Sequence, residues 1–341
     1  MSYQKGEIYF VRERDRKTGR HTEFVKIGLV RYKENRDSFV RLLEHQTGNP
    51  RALALTRDEI VVTEAVDLVE AQLHRRLADK RVSGEWFHLS SEREIREAIR
   101  IATELKRDVE KLLPLLERAE QLTRQESTEP LRAATPEDIA LGRGLALAER
   151  RVKDCEGLLS DIRQKLVAIV DGGGDVSPVA DTIVRTYRPK FLEADFKAAK
   201  PALWAEYLED QVIWQHSFLP KTKVTSVGSA DSDFSAALAQ VRQAIAQYES
   251  HDDVLLLNEP QLALTKLKGE ASWDADIYRA RLKIAVGAAK GIDGVCSWKR
   301  AKKVTQVFNS ERFAAEHPDL AKQFVSLPKT KTYVQSKKVK V

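Results

Sequence analysis

Residues 24–50 read FVKIGLVRYKENRDSFVRLLEHQTGNP. The first part is apolar and β-branched, the pattern of a strand, yet it carries Lys26-Ile27-Gly28. In the second part Phe39, Val40, Leu42 and Leu43 have helical spacing, and Gly48-Asn49-Pro50 stops the helix. Arg41 and His45 lie four residues apart, on one face of that helix. A core strand needs neither the lysine nor the glycine. A guanidinium matches two oxygens of a phosphate, and an imidazole exchanges protons near neutral pH. The stretch therefore predicts half of a phosphate-handling site.

Working outward, GEIYFVRERD and EFVKIGLVRY are joined by the polar RKTGRH, which predicts a hairpin. RALALTRDEIVVTEAV predicts a third strand. DLVEAQLHRR, Asp67 to Arg76, predicts a short helix with Glu70 and His74 one turn apart, and GEWFHL a last short strand. Ser90 or Ser91 caps a helix running to about Arg124, with Pro114 expected to bend or break it. QESTEPLRAATPED has no periodicity and two prolines, the mark of a boundary. The fold class expected is α+β: a small antiparallel sheet flanked by helices over 1–90, a connecting helix over 91–125, a linker over 126–137, then a mostly helical region.

Tyr9 on the first strand, Lys26-Ile27-Gly28 on the second, Arg41 with Gln46-Thr47-Gly48-Asn49-Pro50, Glu70 with Leu73-His74, and Gly84-Glu85-Trp86-Phe87 occur in that order. Residues 6 to 90 thereby resemble a GIY-YIG nuclease domain of the bacterial and phage branch. The resemblance implies a metal-dependent endonuclease acting on DNA. It makes Glu70 the ligand of Mg²⁺ or Mn²⁺, Arg41 the holder of the scissile phosphate, His45 a proton shuttle and Tyr9 an aid to water activation. A hard cation keeps several waters, so one carboxylate can suffice. His74 would orient that carboxylate or touch phosphate. Lys26 would supply charge to the phosphate or lower the Tyr9 pKa, because a phenol near ~10 is a poor base. At Gly28 a side chain would crowd the phosphate. The second tyrosine of the wider superfamily is replaced by Val25-Lys26, so a non-catalytic nucleic-acid-binding protein that keeps the nuclease fold is the alternative.

In the second half, PKFLEADFKAAKPALWAEYL from Pro189 is echoed by TQVFNSERFAAEHPDLAKQF from Thr305, and FLPKTK from Phe218 by SLPKTK from Ser326. This predicts a tandem duplication, with units over 138–225 and 235–334 and a basic tail over 335–341. Leu282-Lys283 with Gly287, Ser297-Trp298-Lys299-Arg300, and Phe313 with His317-Pro318-Asp319-Leu320 resemble the tail of YqaJ-type phage recombination exonucleases. No acidic pair followed by lysine stands upstream, so no second catalytic centre is expected. Trp298 beside Lys299, Arg300, Lys302 and Lys303 is the candidate surface for nucleic acid. A pair of such units could also mediate self-association.

The whole-chain totals agree with this reading. Among 341 residues, 42% are hydrophobic and 32% charged, with a net charge of +6, modest but of the sign that suits a phosphate-rich partner. Two cysteines, Cys155 and Cys296, give no disulfide framework. No apolar run spans a membrane and no leader pattern opens the chain, so a cytoplasmic protein is expected.

Overall fold

A computed structural model describes residues 3–32, 36–47, 49–223, 232–251 and 253–336. Gly48 of the helix stop, Lys33 and Glu34, most of the stretch joining the two echoes, and 337–341 of the basic tail lie outside the described residues.

The N-terminal sheet is built on β1 (Gly6–Arg14) and β2 (His21–Arg31), an antiparallel hairpin as predicted. Next come α1 (Ser38–Gln46), β3 (Ala52–Ala54), β4 (Ile60–Thr63), α2 (Val66–Arg76), β5 (Arg81–Ser83) and β6 (Trp86–His88). β1 pairs with β2 on one side and with β3 and β4 on the other, while β6 pairs with β2 and β5. The expected third strand is two, because Thr56 and Glu59 close a capping box between them.

β1 is central, so both its faces are buried. Ile8 and Phe10 meet Val66, Val69 and Leu73 of α2 and residues of the next helix on one side. Tyr9 and Val11 meet Leu42 of α1 and Leu55 on the other. This strict alternation decides which residues reach α1. Burying a side chain such as Phe10 contributes roughly 1.5–3 kcal/mol.

α3 (Glu92–Thr123) is capped by Ser91 and passes through Pro114 without a break. Its buried stripe continues on both sides of the proline, through Val109 and Leu116, and that packing outweighs one missing backbone bond. The segment after it is not a free linker. Ser127 N–H donates to Arg300 O at 2.9 Å, Thr128 N–H to Ala288 O at 3.0 Å, and Arg132 grips Asp138 at 2.7 Å.

The second half contains α4 (Pro136–Asp171), β7 (Ala180–Tyr187), α5 (Glu193–Ala199), α6 (Pro201–Glu206), β8 (Leu208–Gln215) and β9 (Phe218–Pro220). It continues with α7 (Ser232–His251), α8 (Asn258–Val286), β10 (Gly291–Ile292), β11 (Cys296–Trp298), β12 (Ala301–Phe308), α9 (Ser310–Glu316), α10 (Pro318–Gln323) and β13 (Lys329–Ser336). α8 packs along α4 and also against α2 and α3, which ties the sheet domain to the helical half.

The two long echoed segments occupy equivalent elements, strand–helix–helix–strand, whereas FLPKTK opens with β9 and SLPKTK leads into β13. The turn residues match in backbone angles: Lys200 has φ −138° and ψ 60°, His317 φ −131° and ψ 59°. Their cross-bonds are reciprocal, Leu192 N–H to Phe324 O at 2.7 Å and Asn309 N–H to Tyr207 O at 2.9 Å. Strands pair between segments, β8 with β12 and β7 with β13, each as an antiparallel two-stranded ribbon. Phe196, Tyr207, Phe308 and Phe313 form the core of the helical cap between them.

Candidate active site on the N-terminal sheet

Tyr9 and Gly28 are directly opposed in the β1–β2 register, and Val11 opposes Lys26. Opposed residues share a face, so Tyr9, Gly28 and Lys26 all face α1. Asp37 caps α1, its side chain accepting from Val40 N–H, and the helical repeat then aims Arg41 and His45 at that face.

Tyr9 is 2% exposed. Its Oη lies 3.0 Å from His45 Nε2. The Arg41 guanidinium lies beside the phenol and favours its ionised form. The phenol pKa is pushed up to about 12, by burial first and then by the negative charge of Glu85, against the lowering effect of Arg41. This corrects the expectation that Lys26 would lower it: Lys26 is spent on an ion pair with Glu85. His45 is held below its ordinary pKa, by burial and then by the cations Lys26 and Arg41, so its ring is neutral at neutral pH.

Gly28 has a reason other than the one expected. A Cβ there would lie 2.5 Å from Tyr9 Oη and 2.7 Å from Cζ. The glycine makes room for the phenol ring, which crosses the strand over it.

Glu70 sits on α2 at the edge of this cluster. Its carboxyl is raised to about 7, by burial first, then by the charges of Glu85 and Asp67, with Arg31 and Lys26 acting the other way. It is coupled to Tyr9 by charge as well. His74, one turn on, donates from Nε2 to the Ile27 carbonyl at 3.0 Å and packs its ring on Phe87. It bolts α2 to β2 rather than turning to the carboxylate. Arg41 has Glu44 as an ion-pair partner, and Glu44 also takes Arg36.

Glu85 is the member that sequence reading missed. Burial raises its carboxyl, but the hydrogen bond and charge of Lys26 outweigh that and leave it below the usual range. The GEWF motif placed it beside the site; only the β2–β6 pairing, Lys26 opposite Trp86, shows that it meets Lys26.

Among the described residues no group of three or more His, Cys, Asp and Glu gathers as a metal cage. Glu70 fits a different kind of site. A buried carboxylate surrounded by negative charge gains from a hard cation that brings its own waters.

The C-terminal candidates separate. Trp298 is 0% and Arg300 1% exposed. Arg300 stacks on Trp298 at 4.0 Å and donates to the carbonyls of Leu122 at 2.7 Å and Ala289 at 3.3 Å, and also to Gly287. Trp298 Nε1 donates to His216 O at 3.3 Å. These two residues are core, which corrects their assignment to substrate binding. The chain ends of 122, 287 and 289 need a multiple donor, and Arg300 supplies it. Lys299, Lys302 and Lys303 are exposed.

No helix among the described residues is long and apolar enough to cross a membrane. No curated protein and no solved structure matches the chain. The sheet and helices that carry Tyr9, Arg41, His45 and Glu70 lie within residues 6–103, which match the T5orf172 domain, a nuclease-associated domain.

Proposed function

We propose that the protein is a divalent-cation-dependent endonuclease that hydrolyses phosphodiester bonds of DNA. The chemistry lies where the α1 face of the N-terminal sheet meets the edge carrying Glu70 of α2, and the C-terminal half binds nucleic acid. One observation carries this reading: Tyr9 is hydrogen-bonded to His45, beside the cation of Arg41 and within the field of the unusually basic carboxylate of Glu70.

With the imidazole neutral, the phenol donates its hydrogen to His45 Nε2 at 3.0 Å, and the charge of Arg41 beside it stabilises negative charge developing on the phenol oxygen. A water at the phenol oxygen passes its proton to that oxygen while the phenol proton passes to the neutral imidazole. The hydroxide attacks phosphorus and the 3′-oxygen leaves. Free phenolate, which burial opposes, never forms. Arg41 exchanges Glu44 for phosphate oxygens, and Arg36 keeps Glu44 paired. Glu70 would hold a Mg²⁺ or Mn²⁺, and the bound ion would supply positive charge to the phosphate and the departing oxygen.

A second reading is a nucleic-acid-binding protein without cleavage. The observation in its favour is that Arg41 and Lys26 are both already neutralised, by Glu44 and Glu85. A panel of single-stranded, duplex and branched DNA and of RNA, with Mg²⁺, Mn²⁺ or EDTA, separates the two. Ion-dependent cutting of DNA is expected. Tight binding with no cutting on any substrate would support the second reading.

A further inference from the structure

β7 and β13 come from segments far apart in the chain, yet they pair over their whole length, Ala180 with Ser336 through Tyr187 with Lys329. Alternation puts Asp181, Ile183, Arg185 and Tyr187 on one face together with Lys329, Lys331 and Tyr333, so the single carboxylate lies at the end away from Arg185, Lys331 and Lys329. Arg185 lies directly opposite Lys331, and its guanidinium sits 5.8 Å from the Tyr333 ring. Tyr187 and Tyr333 are in ring contact at 6.3 Å. Arg188 and Lys190 continue the positive charge past the strand end. Arg185, Arg188, Lys190, Lys329 and Lys331 are all exposed, and among the described residues none of them is in an ion pair with a carboxylate. Elsewhere the arginines are commonly paired, as Arg12, Arg31, Arg100, Arg150, Arg279 and Arg312 are.

On the opposite face one end is buried, where Val334 packs with Val179 and Ala180 against α4 and α7, while Thr182, Thr186 and Thr330 are exposed. On the charged, aromatic face Arg185, Tyr187, Lys329 and Lys331 are all exposed. The second ribbon is an internal control. β8 and β12 have the same architecture, but there Lys302 and Lys303 at one end are matched in number by Glu209 and Asp210 at the other, so the ribbon has no net charge. The strands of β7–β13 carry three cations, Arg185, Lys329 and Lys331, to one carboxylate, Asp181, so the positive excess is not a requirement of the ribbon architecture.

We propose that the charged, aromatic face of the β7–β13 ribbon is a duplex-DNA-binding surface, with Arg185, Lys329 and Lys331 on phosphates. A two-stranded ribbon is of a size that the major groove of B-DNA, about 12 Å wide, admits. The cations neutralise backbone charge, and Tyr187 and Tyr333 form an apolar floor between them. The proposal rests on the reading of the chain as acting on DNA, and it moves the grip from Trp298 and Arg300 to a surface not named by any motif.

The test is binding by the full-length chain carrying Glu70→Gln, so that cleavage does not interfere. Affinity for a duplex oligonucleotide is measured by fluorescence anisotropy across a salt series. Adding Arg185→Gln with Lys331→Gln should weaken binding roughly tenfold and flatten the slope of log affinity against log salt by about 1.8. Arg185→Lys with Lys331→Arg should keep the slope. Arg100→Gln with Arg124→Gln, which removes two paired cations of α3, should change it by less than about 0.5. An unchanged slope in the neutralised ribbon, with circular dichroism unchanged, overturns the proposal. So does a loss confined to single-stranded DNA. Cleavage by the otherwise wild-type chain is read separately, so a failed ribbon and a failed nuclease give different results.

Discussion

At the scale of residues, Glu70 is the group whose chemistry is most exposed to test. Its folded pKa of about 7 lies above the ordinary 4.5, so the folded state holds the proton more tightly than the unfolded state. Stability therefore falls as pH rises from about 4.5 to about 7, where the folded carboxyl must ionise. Glu70→Gln removes that penalty. Its Tm should exceed the wild type's by about 2–5 °C at pH 8 and match it at pH 4.5. Mg²⁺ at pH 8 should raise the wild-type Tm and leave the variant's unchanged. A variant less stable than wild type at pH 8 would mean that the carboxylate is partnered rather than strained. Tyr9, Arg41 and His45 were legible as a group because strand alternation and the i, i+4 helical repeat are local rules. Glu85 was not, since its role depends on β6 pairing with β2 from some 60 positions away.

At the scale of elements, the hairpin, α1, α2 and the start of α3 follow from periodicity and caps that the chain carries locally. The departures have tertiary causes. Pro114 stays inside α3 because buried residues flank it on both sides. Segment 126–137 lacks periodicity, yet it is ordered by bonds to residues 288–300. The cluster around Trp298 looks like a basic surface in sequence, but Arg300 turns inward to serve three carbonyls. Arg300→Leu should therefore destabilise the protein by at least about 3 kcal/mol, because buried acceptors lose a charged donor. Urea unfolding measures this. A stable Arg300→Leu chain with selectively weakened DNA binding would return Arg300 to the binding surface.

At the scale of the whole molecule, the echoed segments could be seen in sequence, but their cross-pairing could not. Register between strands so far apart in the chain follows from the aromatic core of the helical cap and from the reciprocal bonds at its turns. That pairing assembles the charged ribbon from two stretches, each of which alone is an unremarkable set of threonines and cations. The same scale joins the two functions: α8 contacts α2 and α3 of the sheet domain while lying along α4, whose far part packs under the ribbon. The central claim, however, concerns the sheet. Its most direct measurement is single-turnover cleavage of duplex DNA with Mg²⁺ by the wild-type chain and by Glu70→Gln, with DNA affinity measured in parallel. Ion-dependent cutting by the wild type is expected, with a loss of about a thousandfold or more in the variant and affinities within about twofold. Equal cutting rates in the two chains would contradict the claim.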